Sequence, residues 1–374
     1  MMLGRLLSVI VSVLLFGCVT ERPDSSNLTA VGDAAETFGF AYEVEDAAFA
    51  KTVDTSSAVE VLATGFTWSE GPVWVPALNA LLFSDVPGNV VYQRSRDASY
   101  TLDLSRPDAV QGVDTFFYPA GYFEDPDILG EAGANGLILS QTGELVLAQH
   151  GERQLAKWTE LPGQGFRLQT GLTPANAFEP LATAYDGKRF NSPNDVVQLS
   201  DGDYLFTDPT YGVDKTFGEE ARELPFAGVY RVDAETGGVS LLLSDMSRPN
   251  GIVTTPGGEH VIVANSDPTR ALLRKCKLKG LSPSTADAQC EIFADVTSEV
   301  GPDRPGNCDG MVMLPSGVLL ATGPGGVLCF SESGRHLGTI RTGRATANVT
   351  TGGVDGRDIF ITADDLLLRA RLKQ

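Results

Sequence analysis

From about Val59 to the C-terminus the chain repeats one polar and apolar pattern six times. A short polar residue is followed by an apolar run of four to six residues, a turn rich in Gly, Asp, Ser or Pro, a second alternating run and usually a third. The segments are GPVWVPALNALLFSDVPGNVVYQ after Glu70, NGLILSQTGELVLAQHGERQLAKW from Asn135 and NDVVQLSDGDYLFTDPTYG from Asn194. NGIVTTPGGEHVIVANSDPTRALLRKC from Asn250, DGMVMLPSGVLLATGPGGVLCFSES from Asp309 and NVTTGGVDGRDIFITADDLLLRARL from Asn348 complete the set. Runs of this length bounded by turn residues predict short antiparallel strands, and their recurrence predicts a repeat architecture. The openers lie roughly forty to sixty-five residues apart, which suits blades of about forty to fifty residues carrying loop insertions. The pattern predicts an all-β fold, a six-bladed β-propeller over residues 57–374.

In a propeller the innermost strand of every blade lines the central channel, so residues that begin those strands meet at one end of it. The predicted ring holds two carboxylates, Glu70 and Asp309, and four carboxamides, Asn135, Asn194, Asn250 and Asn348. One Asn before Gly is ordinarily a turn residue. Six short polar residues at one phase of six repeats are a chemical pattern. Converging carboxylates repel unless a cation lies between them. An oxygen-only donor set suits a hard cation taking six to eight oxygens, so Ca2+ leads, with Mg2+, Mn2+ and Zn2+ left open.

SEGPVW around Glu70, RFNSPNDVV around Asn194, SRPNGI around Asn250 and CDGMVM around Asp309 resemble the SMP-30/gluconolactonase/luciferin-regenerating family of six-bladed propellers. GANGLILSQTGELVLAQHG, and FTDPTYG followed by ELPFAGVYRVD, resemble its bacterial gluconolactonase branch. Superfamily relatives, the paraoxonases and the diisopropylfluorophosphatase type, present Glu, Asn, Asn and Asp to a central calcium. The resemblance implies metal ligation by Glu70, Asn194, Asn250 and Asp309, with Asp309 as general base on water or as nucleophile. Two departures limit it. Cys308 stands where family members often have Pro before the DGM motif, and Asn135 stands where paraoxonases carry a second histidine, so their histidine dyad cannot operate here.

His150 ends a predicted second strand and is a candidate proton shuttle or substrate contact, against the plainer reading of a loop histidine. Asn135, Asp208, Tyr211 and Asn348 are candidates for lining a substrate site, with Arg189 close in sequence to the ring elements and Trp68 as a wall of the pocket. Turn formation accounts equally for Asp208, and core packing is the default for Trp68. A divalent cation there would polarise a carbonyl or phosphoryl oxygen. The favoured reading is a metal-dependent lactonase or esterase acting on a small-molecule lactone or ester. A phosphotriesterase-like hydrolase and a non-enzymatic binding propeller with a structural metal are the alternatives. There is no Gly-x-Ser-x-Gly elbow, zinc-protease motif, Walker loop or dinucleotide fingerprint, and three scattered histidines support no confident triad. Insertions over 101–134 and 213–226 are expected to set specificity.

The N-terminus predicts an address. Arg5 precedes an apolar run from Leu6 to Phe16, too short to span a membrane as a mature helix and shaped like a secretory signal. LFGC resembles a bacterial lipobox, so residues 1–18 read as a lipoprotein-type signal with Cys18 as the lipidated residue. Val19 in place of Asp favours an outer-membrane destination facing the periplasm. Residues 19–56, rich in Asp, Glu, Ser and Ala, read as a polar tether. Cys276 and Cys290 flank a predicted hairpin and are expected to form a disulfide in that oxidising compartment. Cys308 and Cys329 are expected to be reduced and buried. A net charge of -20, from 48 acids against 28 bases, argues against nucleic acid and anionic membrane surfaces as partners. Finally, SAVEVLAT over residues 57–64 is expected to pair with DDLLLRARL and close the ring.

Overall fold

The computed structural model describes residues 28–29, 38–103, 106, 109–159, 173 and 175–374. The signal-like run and Cys18 lie outside them. Six antiparallel sheets follow one another around an axis, and each predicted segment supplies one. Their innermost strands are Ser69–Val75, Ala134–Leu139, Val196–Gln198, Pro249–Thr254, Met311–Met313 and Asn348–Gly352. Each touches the next, and the last touches the first, so the ring is closed.

Buried positions explain why these sequences form blades. The second strands, such as Ala80–Asp85 and Asp358–Ala363, are buried at every residue because a neighbouring blade covers each face. A strand covered on both faces needs a continuous apolar run, which is what ALLFSD and DIFITA provide. Among the described residues the core is accordingly six clusters, each between two adjacent blades. Leu82, Leu147 and Trp158 lie between blades one and two, and Leu81, Phe83 and Leu367 between blades six and one. Outer strands are half exposed, as in Cys290–Asp295. Cys276 pairs with Cys290 across the last two strands of blade four and is bonded to it, while Cys308 and Cys329 are free and buried, as expected.

Glu60–Thr64 is the outermost strand of blade six and pairs antiparallel with Leu366–Arg371, in the register Leu367 to Ala63 and Arg369 to Glu60. The expected closure is found. The expected tether requires correction from Phe38 onward. Ala41–Val44 adds a strand to the outer edge of blade five against Gly338–Arg341, and Phe40, Tyr42, Phe49 and Val53 enter the core between blades five and six. The polar composition of 19–56 concealed these four apolar anchors. Leu28–Thr29 pairs outside that strand; residues 19–27 and 30–37 lie outside the described residues.

Candidate functional site

Five of the six openers, Glu70, Asn135, Asn194, Asn250 and Asp309, line a pocket of about 440 Å3 at one end of the channel, together with Trp68 and Tyr211. The sixth, Asn348, sits beside Glu70 and does not line it. Its amide donates to Glu70 Oε2 at 3.4 Å, and its Oδ1 accepts Val349 N–H at 2.8 Å. The two insertions contribute Glu131, Asp214 and Lys215 to the wall.

The glycine after four openers has a geometric cause. Adjacent innermost strands approach so closely that a Cβ on Gly71, which also has φ +50°, would lie 2.0 Å from the Asn135 carbonyl oxygen. On Gly251 it would lie 2.2 Å from the carbonyl oxygen of Asp309. Backbone contact between blades thus sets where each opener's side chain begins. Gly251→Ala should lower kcat about 100-fold by displacing Asp309; full activity in steady-state assays would refute this account of positioning.

Asn194 is followed instead by Asp195, whose role the sequence reading missed. Asp195 Oδ1 accepts Val196 N–H at 2.9 Å, and Oδ2 accepts Ile252 N–H at 3.0 Å, tying blade three to blade four behind Asn194 and Asn250. The break in the opener-Gly pattern was the available signal. A second polar series ends the second strands. Asp85 accepts the Thr67 and Trp68 N–H groups, Asp208 those of Asn191 and Ser192 at 2.9 and 2.7 Å, and Asn265 that of Arg248 at 2.9 Å. Each fixes the loop that delivers an opener. Asp208, expected at the substrate, is fully buried and does not line the pocket; burial pushes its pKa up to about 7. Asp208→Asn keeps one acceptor oxygen and should cost about 1–3 kcal/mol of stability with little change in KM. A large rise in KM at unchanged melting temperature would restore the substrate reading. Arg189 also lies off the pocket, with its guanidinium on the Glu152 carbonyl at 3.1 Å.

The two ring carboxyls share one enclosed space, Glu70 buried and Asp309 half-buried with its Oδ1 out of reach of solvent. Burial raises both well above the usual range; Asp195 adds to the rise at Glu70, and Glu70, Asp195 and Glu131 add to it at Asp309. Glu70 is held by Trp68 Nε1 at 3.3 Å and by its neighbour Gly71 N–H at 3.2 Å. Asp309 Oδ1 is buried with no hydrogen-bond partner, and no hydrogen bond from protein reaches the Asn194 carboxamide among the described residues. Asn250 Nδ2 donates to Ser266 Oγ at 3.3 Å, leaving its own oxygen for the pocket. Unpartnered carboxylate and carboxamide oxygens converging on one space fit a hard cation. Among the described residues no three His, Cys, Asp or Glu side chains are grouped so as to hold a metal ion by themselves, so such a donor set would depend on the carboxamides.

His150 is buried behind Asn135. Its Nδ1 faces the Glu131 carbonyl at 3.2 Å and Nε2 faces Asn135 Nδ2 at 3.4 Å. Burial pushes its pKa down to about 4, so it is neutral at neutral pH and suits orienting Asn135 better than shuttling protons. Tyr211 lies in the pocket beside Asn250, Ser266 and Asp309, and its hydroxyl is raised by burial and then by Asp309, so it remains protonated and able to donate.

A closed six-bladed propeller with a polar pocket at the mouth of its channel defines the class. The SMP-30/Gluconolactonase/LRE-like region matches residues 68–365, and the chain belongs to that family. A gluconolactonase of Zymomonas mobilis is 31% identical over 323 residues, covering 86% of this chain and 83% of that protein. A solved protein designated a gluconolactonase is 27% identical with a TM-score of 0.69, covering 88% of this chain and 97% of that one. A gluconolactonase of Xanthomonas campestris superimposes with a TM-score of 0.67 at 24% identity, covering 88% and 94%. The chain is a gluconolactonase-like member of a hydrolase family.

Proposed function

We propose that the protein is a metal-dependent hydrolase of lactones, using a divalent cation, in the first instance Ca2+, held by Glu70, Asn194, Asn250 and Asp309. The observation that carries this reading is the buried, unpartnered Asp309 Oδ1 beside a second buried carboxyl. When bound, the cation would polarise the lactone carbonyl and balance the charge that develops on its oxygen. Asp309 acts on the attacking water as base, or attacks the carbonyl carbon itself before water releases the acyl group. Either way the ring C–O bond breaks, its oxygen takes a proton, and a hydroxy acid leaves. Asn135, held by His150, and Tyr211 orient the substrate, and Trp68 positions Glu70.

Hydrolysis of a lactone panel should disappear on chelation and return when Ca2+ is restored. Turnover that survives chelation would remove the metal from the reading; no turnover in any metal state would remove the lactonase. The signal-like N-terminus and the disulfide in blade four support a lipid-anchored protein of the bacterial envelope, outer membrane facing the periplasm, with Cys18 as the acylated residue. Labelling with a tagged palmitate and its loss in Cys18→Ala test that placement.

A further inference from the structure

Beside the central pocket, between blades three and four, runs a second groove of about 720 Å3, and Thr210 lines both. Away from Glu70 and Asp309, the acids along this route are already engaged. Asp214 pairs with Arg222, Glu223 with Arg153 at 3.8 Å and Asp245 with Arg274 at 2.6 Å. The cations left over are Arg248 in the pocket and Lys188 and Arg270 in the groove, all exposed. Among the described residues none of the three makes an ion pair or a side-chain hydrogen bond; Asp267 and Asp295 are felt by Arg248 and Arg270 only at longer range. In a chain with 48 acids against 28 bases, three neighbouring unengaged cations run against the composition. The backbones that carry two of them are also tied together by one buried side chain. Asn265 accepts Arg248 N–H at 2.9 Å through Oδ1 and donates to the Arg270 carbonyl at 2.9 Å through Nδ2.

We infer that the substrate carries an anionic group, a carboxylate or a phosphate, that extends past Thr210 and is bound by Arg248, Arg270 and Lys188 while its lactone lies over Asp309. The inference rests on the lactonase reading and names its substrate class. Guanidinium forks suit the paired oxygens of either anion. Binding of that remote group would hold the lactone carbonyl in register for attack.

Full-length protein should hydrolyse gluconolactone 6-phosphate or glucarolactone with kcat/KM about tenfold or more above that for gluconolactone. The preference of one anionic lactone over the other separates phosphate from carboxylate. In Lys188→Gln/Arg270→Gln the anionic-to-neutral ratio should collapse toward one, and high salt should shrink it in the unmodified protein. A ratio near one from the start, or one that survives the double variant, overturns the inference while leaving the lactonase intact. If no lactone is hydrolysed, the lactonase reading falls and a binding measurement still decides. Glucose 6-phosphate or glucuronate should raise the melting temperature where glucose does not, with the shift lost in the double variant; no such shift overturns the anion site.

Discussion

Asp309→Asn is expected to lower kcat for lactone hydrolysis by about 10³-fold or more while raising the melting temperature of the metal-free protein. The two effects have one cause. On ionising, Asp309 would bring a second negative charge into an enclosed site that already holds Glu70, with an oxygen that no protein group satisfies. The amide removes charge repulsion and desolvation cost together with the chemistry. A carboxyl held above its ordinary pKa keeps more protons folded than unfolded. Its stabilising contribution is therefore complete below the ordinary carboxylate range and is lost as pH rises through the raised value. The metal-free protein should melt lower as pH climbs from 7 to 9, Asp309→Asn should show a shallower slope, and added Ca2+ should flatten it. His150 works in the opposite sense. Held at about 4, it loses its contribution as pH falls below its ordinary 6.5, outside that window. Retained turnover in Asp309→Asn, measured beside calorimetry on the same sample, would end the catalytic assignment.

Removing residues 57–64 should abolish cooperative folding. Blade six would lose its outermost strand, the ladder of Leu366–Arg371 would be left open, and Ala63 and Leu62 would leave the cluster containing Phe83 and Leu367. Ala63→Asp asks the same question without shortening the chain. A charge at a fully buried position on that strand should cost about 3–5 kcal/mol, and calorimetry reads it as a fall of many degrees. A single sharp transition at the unmodified temperature in the deletion would mean that the ring holds without its closing strand.

Much of this was legible in the sequence because a closed repeat states its geometry several times. The continuous runs ALLFSD, LVLAQ and DIFITA mark strands covered on both faces, and the phase of the openers places Glu70, Asn135, Asn194, Asn250 and Asp309 around one pocket. What escaped was information carried by single side chains across blades. Asp195 and Asp85 look like ordinary acids until their backbone partners are known, and Asp208 resembled a substrate contact because a residue ending a second strand can face the pocket or the loop beneath it. Asn348 belonged to the series by phase but gives its amide to Glu70. The segment from Phe38 to Val53 was hidden by averaging, since Phe40, Tyr42, Phe49 and Val53 are few among many polar neighbours.

That segment also determines how the molecule would bear load. Tension applied from the N-terminal side is met first at the outer edge of blade five, where Leu28–Thr29 pairs with Ala41–Val44 and Ala41–Val44 with Gly338–Arg341, and next at the contacts of Thr52 and Asp54 with the backbone of Lys373 and Arg371. The strand that seals the ring comes after both. A tug from that side would be spent on the outer edge of blade five, leaving the seam and the pocket mechanically insulated.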